Sequence, residues 1–119
     1  MSEMLIPVQS ETLREGTCPL HGNIPISAVV PEDQLGVYQL MEQMKRLGLY
    51  SFLDNACEAP TILLIRDKSV VHSEGYRLHV NETSIQVRAS AGAGLFYGVQ
   101  TLIDLLRLEG KELKCRDIE

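Results

Sequence analysis

The residues of this 119-residue chain that are best suited to metal chemistry are its histidines and cysteines. Cys18 and His21 lie three positions apart, a spacing that zinc ligands use, but a structural zinc site needs a second pair of ligands. No other His or Cys lies close to this pair in the sequence, and the HExxH pattern of zinc proteases is absent. We therefore predict an exposed loop at Cys18 and His21, and no metal-binding residue in the chain.

The cysteines give no motif of their own. Cys18, Cys57 and Cys115 are odd in number and widely spaced, and no CxxC pair occurs. This pattern favours three unpaired thiols, with a single disulfide as the alternative.

Carboxylates are numerous, but no pair of them has the surroundings of a glycosidase site, which needs two carboxylates across one sugar ring. Glu32 and Asp33 stand where a helix begins, whereas Asp117 and Glu119 close the sequence, and the chain has no Trp to hold a sugar. A GxSxG elbow is also missing. We predict no catalytic residue in this chain.

A glycine-rich stretch, Gly92-x-Gly94-x-x-x-Gly98, has some likeness to a dinucleotide-binding loop. The fingerprint requires its third glycine one position earlier, and no strand with an acidic end follows at the expected distance. We predict no cofactor-binding residue and no cofactor. Because glycines have no side chain, they are predicted instead to let a helix lie close to a sheet.

Composition argues against two classes of partner. The formal net charge of −5 is unlike that of a nucleic-acid-binding surface, which needs a basic patch. No apolar run is long enough to cross a bilayer. Residues 1–4 lack the basic and apolar regions of a signal peptide, so the sequence leaves the compartment open. We expect no nucleic-acid partner and no membrane partner.

The elements that would have to position any site are clearest between Glu74 and Leu106. Apolar residues alternate with polar ones on both sides of the polar turn 81–84, which predicts a hairpin with one buried face. The alternating apolar residues are Tyr76, Leu78, Val80, Ile85, Val87 and Ala89. A helix then follows, and Ser90 is predicted to cap it. Its predicted apolar stripe contains Leu95, Phe96, Val99, Leu102, Ile103 and Leu106.

The other elements follow from weaker patterns. We predict strands at residues 4–9 and 26–30, with mostly loop at 12–25. The acidic segment 31–33 is predicted to begin a helix, which Gly48 ends. The apolar face of that helix is Val37, Leu40, Met41, Met44 and Leu47. The apolar run 61–65 predicts a strand in the middle of the sheet that is buried on both faces. Residues 113–118 form either a last strand or a linker.

Together these elements predict an α+β fold. Each helix has a single apolar stripe, and the hairpin has only one apolar face to offer. We therefore expect a two-layer sandwich, in which both helices cover one face of a mixed β-sheet. A chain of this length makes one domain, so residues 1–119 are expected to form a single domain.

Three segments also resemble a known family. They are Tyr76–Val80 (Tyr-x-Leu-x-Val), Ile85–Val87 (Ile-x-Val) and Ala93–Leu102 (Ala-Gly-Leu-Phe-Tyr-Gly-Val-Gln-Thr-Leu), and Leu5-Ile6-Pro7 adds a shorter match. The pattern resembles the N-terminal non-catalytic domain of the β-N-acetylhexosaminidases, glycoside hydrolase family 20. In layout it covers most of the chain. The corresponding domains of O-GlcNAc hydrolases and α-glucuronidases share that layout.

The resemblance implies a zincin-like layout without the metal site. It also implies that the catalytic Asp-Glu pair belongs to a (β/α)8 barrel that follows in the same polypeptide and is the partner of this domain. A barrel needs roughly 250 residues, far more than this chain has. The family is often secreted or periplasmic. The resemblance thus implies that this chain is an accessory domain of a parent glycoside hydrolase. It also implies that the chain alone is not catalytic.

Two functions remain open at this stage. The first is an accessory domain of a β-N-acetylhexosaminidase-type enzyme, and the second is a free-standing binding or interaction module with the same fold. If the first is right, apolar surface should be exposed around the second helix and Leu113–Ile118. Self-association of the isolated chain is then expected as a way of covering it.

Overall fold

A computed structural model describes residues 10–28 and 34–119 of the chain. Within these ranges one sheet contains seven strands, in the order β1-β7-β5-β6-β4-β2-β3, and two helices accompany it. The elements in chain order are β1 (Glu11–Pro19), β2 (Asn23–Ala28), α1 (Gln34–Arg46), β3 (Tyr50–Leu53), β4 (Ile62–Arg66), β5 (Arg77–Val80), β6 (Ile85–Ala89), α2 (Gly92–Glu109) and β7 (Glu112–Ile118).

The sheet has a parallel half and an antiparallel half that meet at β6. Strands β3, β2, β4 and β6 are parallel neighbours, whereas β6, β5, β7 and β1 are antiparallel neighbours. Two antiparallel steps separate β7 from β6, so β7 runs in the same direction as β6. The carboxyl ends of β2, β4, β6 and β7 therefore lie at one end of the sheet, and both helices begin at that end.

The core lies between the sheet and the helices. Register places Ile26, Ile62, Ile85 and Val80 side by side across four strands, and all four are fully buried. The same cluster includes buried residues from both helices, and α1 contacts α2. The helix residues in it are Val37, Leu40, Met44, Leu95, Val99, Leu102, Ile103 and Leu106. The predicted α+β sandwich, with two helices on one face of a mixed sheet, is confirmed.

Helix α2 lies close to the sheet because two of its residues are glycines. A Cβ at Gly94 would overlap the backbone carbonyl oxygen of Gly75, and a Cβ at Gly98 would overlap the Val87 side chain. The third glycine of the predicted loop, Gly92, is the first residue of the helix. The packing role predicted for these glycines is thus confirmed at Gly94 and Gly98.

Helix α1 ends as its sequence predicts. Gly48 has φ of +78°, which an L side chain rarely adopts. The N–H of Gly48 donates to the carbonyl of Lys45, and the N–H of Leu49 donates to that of Met44. These two bonds form a Schellman motif, so the last carbonyls of α1 are satisfied without water.

The beginning of α2 corrects two predictions. Ser90 does not cap the helix, since the capping position is Ala91 and it makes no side-chain hydrogen bond to the first turn. Phe96 does not widen the buried stripe, because 41% of its surface is exposed. The remaining members of the stripe are buried, and the helix ends at Glu109 before Gly110, as predicted.

The N-terminal half of the chain departs most from the sequence prediction. Residues 12–25, predicted to be mostly loop, contain β1 and the first part of β2. Strand β1 lies at the edge of the sheet and is mostly exposed, and a bulge interrupts its pairing between Leu13 and Thr17. Alternation is therefore absent from its sequence. The short edge strand β3 was not predicted for the same reason, because its one partner among the described strands is β2.

Some predicted features lie outside the described residues. These are the strand at residues 4–9, the last two residues of the strand at 26–30, and the acidic helix start at 31–33. The described part of α1 begins at Gln34.

Strand β4 is an interior strand, as predicted, but only one of its faces is buried. Ile62 and Leu64 face the helices and are buried, whereas Leu63 and Ile65 face the other way and are partly exposed. The prediction that both faces are buried is wrong for this chain, because the described elements cover the sheet on one side. We call the uncovered side the open face.

One buried charge ties the last strand to α2. Arg116 on β7 is 2% exposed, and its guanidinium donates to the carboxylate of Glu109 and lies 3.5 Å from Glu11 Oε2. The Lys114 backbone N–H also donates to Glu109, at 2.9 Å. Burial by itself raises the pKa of Glu109, but the hydrogen bonds from Arg116 and Lys114 outweigh it and hold the pKa below its ordinary value.

The close approach of α2 predicts opposite effects for two helical glycines. Gly94→Ala should lower the free energy of unfolding by about 1–3 kcal/mol, because its methyl group meets a backbone carbonyl that cannot rotate away. The matched control is Gly36→Ala in α1, whose Cβ would meet Val99 at an ordinary 3.7 Å. The control should raise stability by up to about 1 kcal/mol, since Ala favours a helix. Urea unfolding checks both, and equal effects would contradict the close approach.

Truncation of the α2 stripe should be costly. Leu102 is fully buried, so Leu102→Ala should lower the free energy of unfolding by about 2–5 kcal/mol. Leu108→Ala on the same helix is the control, because Leu108 is 82% exposed and its truncation should change stability by less than about 0.5 kcal/mol. Thermal or urea unfolding distinguishes the two, and a Leu102→Ala loss as small as the control's would show that the stripe is not packed.

The Glu109–Arg116 pair should make the domain sensitive to acid. The pKa of Glu109 is lower in the folded chain, so its ionised form stabilises the fold above the ordinary glutamate pKa of about 4.3. That stabilisation is lost as the pH falls through the folded-state pKa. The stability difference between the wild type and Glu109→Gln should therefore shrink from neutral pH to about pH 3. Urea unfolding at both pH values measures it, and a constant difference would rule out this linkage.

Candidate functional site

The outer side of the helix layer exposes two aromatic rings. Tyr38 of α1 is 58% exposed and Phe96 of α2 is 41% exposed. A groove of about 520 Å³ runs between the two helices and is lined by both rings, with Ile103 among the other lining residues. We call this surface the helix groove.

The helix groove has an aromatic end and a basic end. Both helices begin at the same end of the sheet, so they run side by side in the same direction. Tyr38 and Phe96 are each the fifth residue of their helix, whereas Arg46 and Arg107 line the groove near the helix C-termini. Between the two ends, Gln100 Nε2 donates to Gln39 Oε1 at 2.8 Å and bridges the helices.

The sequence predicted apolar surface in this region but misplaced part of it. Leu113, Cys115 and Ile118 belong to the buried residues of β7, so the prediction of an exposed patch at residues 113–118 is wrong. The exposed apolar residues of α2 are Phe96 and Leu108. Tyr38 was missed, although an aromatic residue that lies off the apolar stripe of α1 is a signal for it.

A second constellation lies on the open face of the sheet. Asp117 accepts from His79 Nδ1 and forms an ion pair with Arg14, whose Nε lies 3.2 Å from Asp117 Oδ2. Arg88 Nη1 lies 3.3 Å from Asp67 Oδ2. With Arg77, these residues line or border a cavity of about 460 Å³. We call the constellation of Arg14, Asp67, Arg77, His79, Arg88 and Asp117 the ionic basin.

Asp67 of the ionic basin is held by hydrogen bonds from Ser69 and by an ion pair with Arg88. The Ser69 hydroxyl and backbone N–H both donate to Asp67, at 2.7 and 2.9 Å. These bonds, and then the Arg88 guanidinium, hold the pKa of Asp67 below its ordinary value. Asp67 is therefore ionised at neutral pH and fixes Ser69 and Arg88 in place.

The thiols and histidines that the sequence offered as metal ligands are not brought together. Cys18 is a buried residue of β1, so the predicted exposed loop is wrong at Cys18, whereas His21 lies exposed in the turn before β2. Burial and the nearby Cys115 thiol raise the pKa of Cys18 to about 11, so it stays protonated at neutral pH. Cys18, Cys57 and Cys115 are all free thiols. Across residues 10–28 and 34–119, no group of three or more His, Cys, Asp and Glu side chains is arranged to hold a metal ion.

Of the two candidate carboxylate pairs, the structure describes only Asp117 and Glu119, and both line the cavity of the ionic basin. Glu32 and Asp33 lie outside the described residues. Asp117 is held by His79 and Arg14, and Glu119 lies 4.0 Å from the Arg77 guanidinium. In the part of the chain that the structure describes, neither helix is long and apolar enough to span a bilayer.

Comparison with known families identifies the chain. The family model described as glycosyl hydrolase family 20, domain 2, matches residues 5–119. The chain belongs to this family. Comparison of the sequence with curated proteins found no significant match.

Solved structures of family 20 enzymes contain the same fold as this family 20 domain. The N-acetyl-β-hexosaminidase of Streptomyces plicatus matches 94% of the chain with a TM-score of 0.83 and 21% identity. The β-N-acetylhexosaminidase of Bacteroides fragilis matches 97% with a TM-score of 0.78 and 21% identity. An exo-β-N-acetylglucosaminidase of Vibrio harveyi matches 94% with a TM-score of 0.78 and 18% identity.

The chain spans only a small part of those relatives. It covers 24% of the Streptomyces and Bacteroides chains and 18% of the Vibrio chain. Each of these proteins is therefore a larger polypeptide in which the matched fold is one part.

Proposed function

We propose that this family 20 domain is the non-catalytic accessory domain of a longer β-N-acetylhexosaminidase-type glycoside hydrolase. In this proposal residues 1–119 form one domain, and a catalytic (β/α)8 barrel follows in the same polypeptide. The carrying observation is that the family match spans 5–119, while the matched enzymes are about four times longer or more. The chemistry is then supplied by the barrel, and this domain supports it by packing.

The helix groove is the surface that we propose packs against the barrel. Aromatic side chains bury large apolar areas, and Tyr and Phe are enriched in the central parts of interfaces. Tyr38 and Phe96 expose this kind of area, and a hydrogen bond between Gln100 and Gln39 joins the two helices beside them. At the basic end, Arg46 adds a place for acidic partner residues, whereas Arg107 already lies 3.5 Å from Asp104 Oδ1.

Topology supports the same surface. Strand β7 runs towards the end of the sheet at which both helices begin. A segment that followed Ile118 would emerge at this end, where Tyr38 and Phe96 lie. A barrel joined by a short connection would therefore meet the aromatic end of the helix groove first.

The catalytic part of the proposal is tested with the isolated chain. Purified residues 1–119 should not hydrolyse aryl N-acetylhexosaminides above the buffer rate, because Asp117 and Glu119, which share a cavity, lie next to the basic side chains of Arg14, His79 and Arg77. Turnover that is lost on mutating one of the chain's own acids would contradict a non-catalytic role.

The docking part is tested with the segment that follows Glu119 in the gene, expressed separately. We expect it to contain a barrel and to bind the domain, and the double variant Tyr38→Ser, Phe96→Ser should weaken that binding at least about tenfold, the effect of losing an aromatic hot spot. Val71→Ser is the matched control, because Val71 is 95% exposed but lies in the loop before β5. A reading frame without a barrel, or binding that the double variant leaves unchanged, would refute the proposal.

A further inference from the structure

Two arginines face each other directly across the hairpin on the open face. Strand β5 pairs with β6 so that Arg77 lies opposite Arg88, and the next pair on the same face is His79 with Gln86. Like charges placed directly opposite in a sheet repel each other and destabilise it. This arrangement therefore needs a counter-charge, either from the chain or from a ligand.

The chain neutralises the two guanidiniums unequally. Arg88 has an ion pair with Asp67 and donates to Gln86 Oε1 at 3.0 Å. Arg77 donates to Ser69 Oγ at 3.2 Å, and its nearest carboxylate, Glu119, is at 4.0 Å. A guanidinium has five N–H donors. Arg77 thus keeps several donors without a partner in the described part of the chain.

Arg77 lines the cavity of the ionic basin. Arg77, Arg88, His79 and Gln86 line that cavity together with the carboxylates of Asp67, Asp117 and Glu119, of which Asp67 is paired with Arg88. The guanidiniums can hold an oxyanion bidentately, since their fork matches the geometry of a carboxylate or sulfate. The carboxylates of the same cavity repel a free multivalent anion but accept hydrogen bonds from hydroxyl groups.

We propose that the Arg77–Arg88 side of the ionic basin binds the oxyanion of an acidic sugar. In this proposal the anionic group lies between the two guanidiniums, and the sugar hydroxyls donate to Asp117 and Glu119. The site is separate from the helix groove, because the sheet lies between them. The test of this sugar site is therefore independent of whether a barrel binds the helix groove.

The test is an NMR titration of the folded chain, followed at the arginine Nε–Hε signals. Sodium glucuronate is the acidic sugar, glucose is the neutral sugar, and sodium sulfate is the free oxyanion. Glucuronate should shift the Arg77 and Arg88 signals with a dissociation constant in the millimolar range, and added salt should weaken it. Glucose should bind at least about tenfold more weakly, because it has no anionic group and loses the charge-assisted hydrogen bonds. Sulfate should also bind at least about tenfold more weakly, because the carboxylates of the cavity repel a doubly charged anion.

Variants separate the site from general charge. Arg77→Ala and Arg77→Lys should each weaken glucuronate binding about tenfold or more, because lysine keeps the charge but loses the fork. The matched control is Arg107→Ala, which removes one guanidinium from the helix layer on the other side of the sheet. It should leave the affinity unchanged. Thermal melts confirm that each variant is folded before titration.

Three results would overturn the proposal. Glucuronate that leaves both arginine signals unshifted would show that no such site exists. Sulfate that binds as well as glucuronate would reduce it to a general anion site. An equal loss in Arg107→Ala and Arg77→Ala would assign the effect to net charge rather than to the Arg77–Arg88 pair.

Discussion

The close contact between α2 and the sheet is the constraint on which the rest of this structure depends. At Gly94 and Gly98 the helix approaches the Gly75 carbonyl and Val87 more closely than any residue with a side chain would permit. This contact brings Leu95, Val99 and Leu102 within reach of the sheet core. Helix α1 then packs beside α2, with Gly36 against Val99.

The two halves of the sheet that meet at β6 contribute different residues to the two faces. On its parallel side, β4 and β2 supply every second residue to the core, namely Ile62, Leu64, Ile24, Ile26 and Ala28. On its antiparallel side, β5 and β7 place Leu78, Val80 and Ile118 towards the helices, whereas Arg77, His79 and Asp117 face the open side. The charged half of the open face arises here, because period-two alternation sends every second residue of the hairpin away from the core.

The two faces thus have different capacities. The helix side presents aromatic rings over a core that is already complete, which suits packing against another folded domain. The open side presents guanidiniums and carboxylates in fixed ion pairs around a cavity, which suits a small polar ligand better than an apolar protein surface. The buried Arg116 lies on the helix side and is bonded to Glu109, so its charge contributes to holding β7 and α2 together rather than to a site.

The sequence by itself determined the elements whose patterns are local. Periodicity and turn chemistry within a few residues are enough to predict the hairpin and the interior position of β4. They also predict the C-terminal end of α2 at Glu109, before Gly110, and the end of α1 at Gly48. The pairing of Arg77 with Arg88 could also have been predicted from the sequence. Val80 pairs with Ile85 on either side of the turn at Asn81–Ser84, and counting back from that pair places Arg77 opposite Arg88.

Only the tertiary structure decided features that depend on residues far apart in the chain. The edge strands β1 and β3 have one described partner each, so neither shows the alternation that sequence reasoning detects. The exposure of Phe96 and Tyr38 depends on how α1 lies against α2. The hydrogen bond between His79 and Asp117 joins two residues that are 38 positions apart in the chain. Local periodicity records which face of an element is apolar, but long-range packing decides which neighbours cover it.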